Sequence, residues 1–158
     1  MRISPPLPQN YKYDRENGVY LTDVWDDIRE LTSGYFAGDE AIRKNNGERF
    51  HKQQSPIALL LRIILSSTKV GDMVFDPFAG TGTALVVAEQ LKRKSIGIEI
   101  DKDNARGIKH RLEEISQSDN VIKYYKEYIY TDNLKEIWGI DSAPFTIKKK
   151  GELSLFKL

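Results

Sequence analysis

Two carboxylates bracket the most chemically suggestive stretch of the chain. Asp76 closes the apolar run "MVFD", and Glu99 follows 23 residues later in "SIGIEI". Between them lie Gly80 and Gly82, in "DPFAGTGT". A ligand lying across the end of a strand needs backbone without Cβ atoms in its way, which glycine supplies. The helix start after such a turn offers free N–H groups and a positive dipole end. An acidic side chain ending a second strand can accept hydrogen bonds from both hydroxyls of a ribose. An acidic side chain ending the first strand suits an ammonium rather than a phosphate. An amino-acid head joined to an adenosine ribose describes S-adenosyl-L-methionine. Taken singly, Asp76 could equally cap a turn and Glu99 could be a solvated strand end. The glycine turn between them favours the binding reading.

Other nucleotide sites fit less well. A dinucleotide fingerprint would place a third glycine at position 85, where this chain has Leu85. A Walker phosphate loop would need a Lys-Ser/Thr pair after its glycine, and Gly82 is followed by Thr83-Ala84. There is no cysteine, which removes disulfides, thiolate metal sites and cysteine nucleophiles together. The two histidines, His51 and His110, are too few and too separated to suggest a zinc site.

The elements needed to position this turn can be read on either side of it. Ser55 is placed as an N-cap and Pro56 as a first helical residue. Ile57, Leu60, Leu61, Ile64 and Leu65 then recur at helical spacing to about Ser67. "KVGD" turns the chain into the strand "MVFD", a helix runs from Ala84 to about Lys92, and "SIGIEI" makes a second strand. A third helix runs from about Asp103 to Ile115, with Asp101 as its cap. This order predicts an α/β fold with a parallel sheet and right-handed crossovers. Upstream, residues 1–18 read as an extended, proline-rich arm, "VYLTDVW" (19–25) as a strand, though "DVWDDIRELT" could also open a short helix, and residues 33–49 as a loop. The segment "NVIKYYKEYIYTDNLKEIWG" could be helix or strand, and "PFTIKKKGELSLFKL" reads as a β-hairpin about Gly151-Glu152. The predicted division is an arm over 1–18, a cofactor-binding α/β domain over 19–116 and an extension over 117–158.

Size and composition agree with one domain. A chain of 158 residues can bury roughly 68–70% of its unfolded surface. The formal net charge of +1 neither demands nor excludes a nucleic-acid partner. No run of about 18 apolar residues suggests a membrane span, and "MRISPPLPQN" has no apolar signal core. The expected location is the cytoplasm.

Residues 51–101, from "HKQQSP" through "DPFAGTGT" to "GIEID", closely resemble the cofactor-binding region of the DNA amino-methyltransferases, the adenine-N6 and cytosine-N4 family. That family's signature is His-Pro-Thr-Gln-Lys-Pro, an aliphatic helix, Asp-Pro-Phe-x-Gly-x-Gly-Thr and Gly-Ile-Glu. "TDVWDDI" (22–28) resembles a segment that often precedes it. The order is the permuted one in which the cofactor half comes last, and the fold implied is a partial Rossmann-like class I methyltransferase sheet. The resemblance implies that Asp76, Pro77, Phe78, Gly80, Gly82 and Thr83 line the methionine and adenosine pocket. It implies that Glu99 holds the ribose, and that Gln54, Ser55 and the helix start at Pro56 receive the methionine carboxylate. The family's lysine before that proline is Ser55 here.

Amino-methylation needs no covalent intermediate, whereas the cytosine-C5 enzymes use a cysteine this chain lacks. It does need a polar acceptor for the exocyclic amine and an aromatic platform for the extruded base. The family supplies both in Asp/Asn/Ser-Pro-Pro-Tyr/Phe/Trp, placed after a strand. Here only "SPPL" (Ser4 to Leu7) comes close: it lacks the aromatic, and "MRI" is too short for a supporting strand. It reads as part of the arm, with Ser4 the weak candidate for a catalytic group. The target-recognition region is also missing. The sequence therefore reads as the carboxyl half of a DNA-modifying enzyme of the restriction-modification kind, either a truncated product or one chain of a split enzyme. The expected partners are DNA and a complementary methyltransferase chain or a second copy, with no metal and no membrane. The competing expectation is a non-catalytic remnant that acts as a binding or regulatory module. Among smaller signals, His51 reads as a residue that packs or caps near the loop rather than a catalytic base, Phe50 as core filler, "RKNNGERFHK" as a solvated loop, and Trp25 and Trp138 as core.

Overall fold

The computed structural model describes residues 2–3, 19–31, 40–44, 46–51, 53–131 and 134–138. Its centre is a β–α–β unit. Strand β3 (Met73–Asp76) pairs in parallel with β4 (Lys94–Gly97), in the register Met73↔Lys94 to Asp76↔Gly97. The helix α2 (Thr83–Gln90) joins them. Helix α1 (Ile57–Ser67) precedes the unit and α3 (Lys102–Glu113) follows it. A 3-10 helix (Val121–Glu127) and a single turn, α4 (Leu134–Ile137), complete the order. A separate antiparallel pair, β1 (Arg2–Ile3) with β2 (Val19–Tyr20), stands apart from the parallel strands.

Strand β3 lies where expected; β4 starts one residue early and ends at Gly97. The ladder nevertheless continues, because the Ile98 N–H donates to Asp76 O at 2.9 Å. The strand expected over 19–25 is confined to Val19–Tyr20. Beyond it the chain turns, with Trp25 Nε1 donating to Thr22 O at 2.6 Å. Before Ser4, Arg2–Ile3 forms only a two-residue strand, in the separate pair with β2 and not in the parallel sheet. Residues 4–18, with Ser4 to Leu7, lie outside the described residues, as does the hairpin expected over 144–158.

The helix starts differ in how they are capped. Asp101 caps α3 as its sequence position implies, accepting from the N–H groups of Asp103 and Asn104 at 2.8 and 3.0 Å. At α1 the expected Ser55 cap is not used. Pro56 holds the cap position with extended backbone, and the Ile57 N–H donates to the Glu40 carboxylate at 2.6 Å. A side chain 17 residues upstream therefore does the capping.

The core lies on one side of the β3–β4 pair. Ile57, Leu61, Ile64 and Leu65 of α1 meet Val87, Ala88 and Leu91 of the α2 region, with Val121, Tyr128, Leu134 and Trp138 closing the cluster. Arg62 is carried into this core at 2% exposure. Its guanidinium makes a bidentate pair with Asp27 at 2.8 and 2.5 Å, donates to the Tyr128 hydroxyl at 3.1 Å and lies 5.4 Å from the Trp25 ring centroid. That pairing offsets the cost of burying the charge and fastens residues 22–28 onto α1. The Arg62 contact holds the Asp27 carboxyl below the usual aspartate range.

Candidate functional site

The carboxyl ends of β3 and β4 open into a cleft of about 520 Å³, within the usual size for small-molecule sites. From β3 and the turn after it come Asp76, Pro77, Phe78, Gly80, Thr81 and Thr83; from β4 and beyond come Ile98, Glu99 and Ile100. The segment before α1 contributes His51, Gln53 and Ser55. Asp76, Pro77, Phe78, Gly80, Thr83, Glu99 and Ser55 thus meet around one space, although position 55 and position 99 are far apart in the chain.

The two glycines of the turn do different jobs. Gly80 has φ +55° and faces the cleft; a Cβ there would meet nothing nearer than Phe78 O at 3.8 Å. Gly82 has φ +75° and faces inward, where a Cβ would lie 2.7 Å from Ile108 Cγ1. Gly82 therefore serves helix packing and is not among the lining residues. Gln54 is also absent from the lining. Its side chain is buried, accepting from Ile42 N–H at 2.9 Å and donating to Glu40 O at 2.8 Å. It holds the 40–42 segment whose Glu40 caps α1.

Leu85 occupies the place where a dinucleotide fold has its third glycine. The close approach of helix to strand is made from the other side, by Gly97, where a Cβ would lie 2.5 Å from Leu85 Cδ1. The missing glycine is thus a relocated one, and it faces the core rather than a ligand.

Glu99 braces the cleft. One carboxylate oxygen accepts the Gly80 N–H at 2.7 Å and the other accepts the Asp101 N–H at 2.8 Å. These bonds, that of Asp101 foremost, hold the Glu99 carboxyl below its usual range, so it is ionised at neutral pH with lone pairs still open. Asp76 accepts the Phe78 N–H at 3.1 Å, a turn bond that also leaves acceptor capacity. No lysine or arginine is among the described lining residues. The apolar side chains of Phe78 and Ile100 stand 89% and 98% exposed at the rim. Two carboxylates, no fixed cation among the described lining residues and exposed apolar surface suit a ligand with a cationic head, hydroxyls and a flat ring. They oppose a phosphate-bearing one, which would be repelled.

His51, read from sequence as a residue that packs or caps near the loop, lines the cleft with its Cε1 3.9 Å from the ideal Cβ position of Gly80. Its Nδ1 accepts the Gln53 N–H at 3.2 Å. Among the described residues there is no cluster of histidine and carboxylate groups suited to a metal ion. No helix among them is long and apolar enough to cross a membrane.

Comparison with known proteins identifies the family. The family model for DNA methylases of the N6 and N4 type matches residues 3–110, more than half of the chain. The chain belongs to that family, and its α/β arrangement is a partial Rossmann-like methyltransferase fold. It is similar to the type II methyltransferase M.HinfI of Haemophilus influenzae, 43% identical over 86 residues that make up 54% of this chain and 24% of the relative. It is also similar to the type II methyltransferase M2.DpnII of Streptococcus pneumoniae, 40% identical over 107 residues, 65% of this chain and 36% of the relative. The chain therefore spans about a quarter to a third of the length of these curated relatives. Among solved structures, M1.HpyAVI aligns with 48% of this chain and 42% of its own, at 32% identity and a TM-score of 0.38. Its SAM complex aligns with 47% and 44%, at 31% identity and a TM-score of 0.36.

Proposed function

We propose that this chain is the S-adenosyl-L-methionine-binding portion of a site-specific DNA methyltransferase. The product is a methylated exocyclic amine, at adenine N6 or cytosine N4, and a complementary polypeptide supplies the base pocket. The observation that carries the reading is the cleft lined by Asp76 and Glu99 with no lysine or arginine among the described lining residues. When bound, S-adenosyl-L-methionine supplies an electrophilic methyl group on a cationic sulfonium. Glu99 takes the ribose hydroxyls on its open lone pairs, and Asp76 faces the ammonium. Phe78 and Ile100 cover apolar parts of the ligand that water would otherwise face. Gly80 leaves room for the ligand to lie against backbone. Gln54 supports this site through Glu40 and the start of α1, and Gly82 supports it through α3.

The need for a complementary half rests on the open side of the sheet. Met73, Phe75, Ile96 and Ile98 share the face away from α2 and are 51%, 57%, 52% and 56% exposed. Parallel strands are normally covered on both faces. The greater length of the relatives supplies a source for that cover. DNA would then be bound across both parts, its target base held by the complementary half and its methyl donor by this one. Titration calorimetry with S-adenosyl-L-methionine against NAD tests the cofactor. Binding of NAD alone would end the reading.

A second reading has one observation in its favour. The family match begins at residue 3, so Ser4-Pro5-Pro6 falls inside it, and a short strand precedes it. On that reading Ser4 accepts the target amine and the chain methylates DNA unaided. Transfer of labelled methyl to DNA by the purified chain, abolished by Ser4→Ala, would establish it. No transfer alone, with transfer restored by a polypeptide carrying Asp-Pro-Pro-Tyr, would establish the first. Cofactor binding with no transfer under either condition would leave the non-catalytic module.

A further inference from the structure

We infer that Arg111 is a positioning residue for the cofactor cleft, acting through the carbonyl of Thr81 and locked by Asp119. This rests on the reading of the cleft as an S-adenosyl-L-methionine site. Arg111 is on α3, 7% exposed, and its guanidinium makes a bidentate pair with Asp119 at 3.1 and 2.6 Å. Asp119 is itself 3% exposed. It is fixed in turn: its N–H donates to Ser116 O at 3.1 Å, and its carbonyl accepts from Gln90 of α2 at 2.9 Å. The remaining guanidinium nitrogen, Nη1, donates to Thr81 O at 2.5 Å and lies 3.5 Å from Thr83 Oγ1.

Thr81 stands between the two glycines. Its peptide to Gly82 is planar, so fixing the carbonyl toward Arg111 fixes the Gly82 N–H on the opposite side. That N–H donates to Ala79 O at 2.6 Å. The residue before, Gly80, gives its N–H to Glu99. Two glycines give the turn more accessible backbone conformations than residues with a Cβ would. Here it is held from the cleft side by Glu99 and from the core side by Arg111. An ion pair needs only Asp119 to be satisfied, and the third contact is the one that bears on the site. Burying such a pair is costly in water-free surroundings and is no efficient way to add stability alone.

The apparent affinity of a ligand falls in proportion to the population of the competent conformation. The test uses the double variant Arg111→Met/Asp119→Leu, which removes the clamp without leaving either charge buried and unpaired. Arg111→Lys is the second variant, because a single ammonium can serve Asp119 or Thr81 but not reproduce the fork. Amide hydrogen exchange of Gly80 and Gly82 is followed in the ligand-free chain, well below its unfolding midpoint, and S-adenosyl-L-methionine affinity is measured by calorimetry. The expected result is exchange at both glycines faster by about tenfold or more, affinity lower by about the same factor, and an intermediate effect in Arg111→Lys. Wild-type exchange at both glycines in a folded double variant would overturn the inference. Faster exchange with unchanged affinity would overturn it as well. Should the wild-type chain bind no S-adenosyl-L-methionine, the functional reading fails, and the exchange rates alone decide whether Arg111 holds the turn.

Discussion

The two faces of the β3–β4 pair differ in their residues and meet opposite fates. Toward α2, Val74 packs on the main core and Gly97 brings the strand against Leu85. On the other face Met73, Phe75, Ile96 and Ile98 are each more than half exposed. In β3 the apolar run Met73–Phe75 supplies both faces, and in "SIGIEI" the isoleucines at 96 and 98 fall on the bare one, whereas parallel strands are normally covered on both faces. Hydrophobicity along a strand therefore reports that a surface is meant to be covered, and says nothing of what covers it. The functional cleft sits at the edge between the two faces. One wall is built by the strand ends and the glycine turn, the other by the segment before α1.

If the faces differ as described, deleting apolar bulk from each should give unequal costs. Leu91 is fully buried in the main cluster, and Leu91→Ala should cost about 2–5 kcal/mol. Ile96→Ala, on the bare face, should stay within about 0.5 kcal/mol of wild type. Urea unfolding of both variants measures the contrast. Equal costs would mean that the second face is covered in solution.

Adding a single methyl group sharpens the contrast from the other direction. Gly97→Ala places a carbon 2.5 Å from Leu85 Cδ1 and 3.1 Å from Ala79 Cβ. Leu85 must shift, and overpacking of this kind costs about 1–3 kcal/mol. Because Leu85 and Ala79 flank the glycine turn, the same variant should also weaken cofactor binding. Calorimetry and urea unfolding on one sample would check both effects.

The cleft residue Glu99 should show the reverse signature, with affinity changed and fold intact. Glu99→Ala removes a charge-assisted acceptor for two hydroxyls, and S-adenosyl-L-methionine affinity should fall by about tenfold or more. The thermal midpoint should hardly move. Backbone N–H groups of Asp101 and Gly80 keep the native carboxyl below its usual range, so it remains charged down to and below the ordinary glutamate value of about 4.3. Its contribution to binding should be constant from pH 8 to about 5 and lost only as pH falls through the lowered native value. A loss of affinity that tracks pH 6–7 would show that a group other than Glu99 governs binding.

Much of this arrangement was legible because it is local. The strand "MVFD", the helix after Pro56 and the Asp101 cap each follow from neighbours within a few positions, and the glycine turn carries its own chemistry. What could not be read depends on long separations. Glu40 caps α1 from 17 residues away, and Asp27 reaches Arg62 across 35. Arg111 reaches Thr81 across 30. Arg62 and Arg111 fall at apolar-face spacing, three residues from Leu65 and Ile108, but nothing local names the distant carboxylate each one meets. Gly80 and Gly82 were alike in sequence, and only the position of Ile108 separates a glycine kept for ligand space from one kept for packing. His51 opens the "HKQQSP" motif, but its spacing alone does not separate a residue that packs or caps near the loop from one that lines the cleft.

The smallest effect is expected where the bare face is changed most. Phe75→Lys and Ile96→Lys together place two charges among Met73 and Ile98, on the side away from α2. Neither position is buried, so unfolding free energy should change by no more than about 0.5 kcal/mol per site. The β3–β4 ladder, the turn and Glu99 are untouched, and S-adenosyl-L-methionine affinity should match wild type. What should disappear is association: a complementary polypeptide that restores methyl transfer to the wild-type chain should fail with the double variant. Sedimentation and labelled-methyl assays on the same preparations separate these outcomes. A large loss of stability in the isolated variant would show that its own copy, or residues outside those described, already covers the face. Unimpaired complementation would place the partner elsewhere, and the two faces of the sheet would then differ in packing alone.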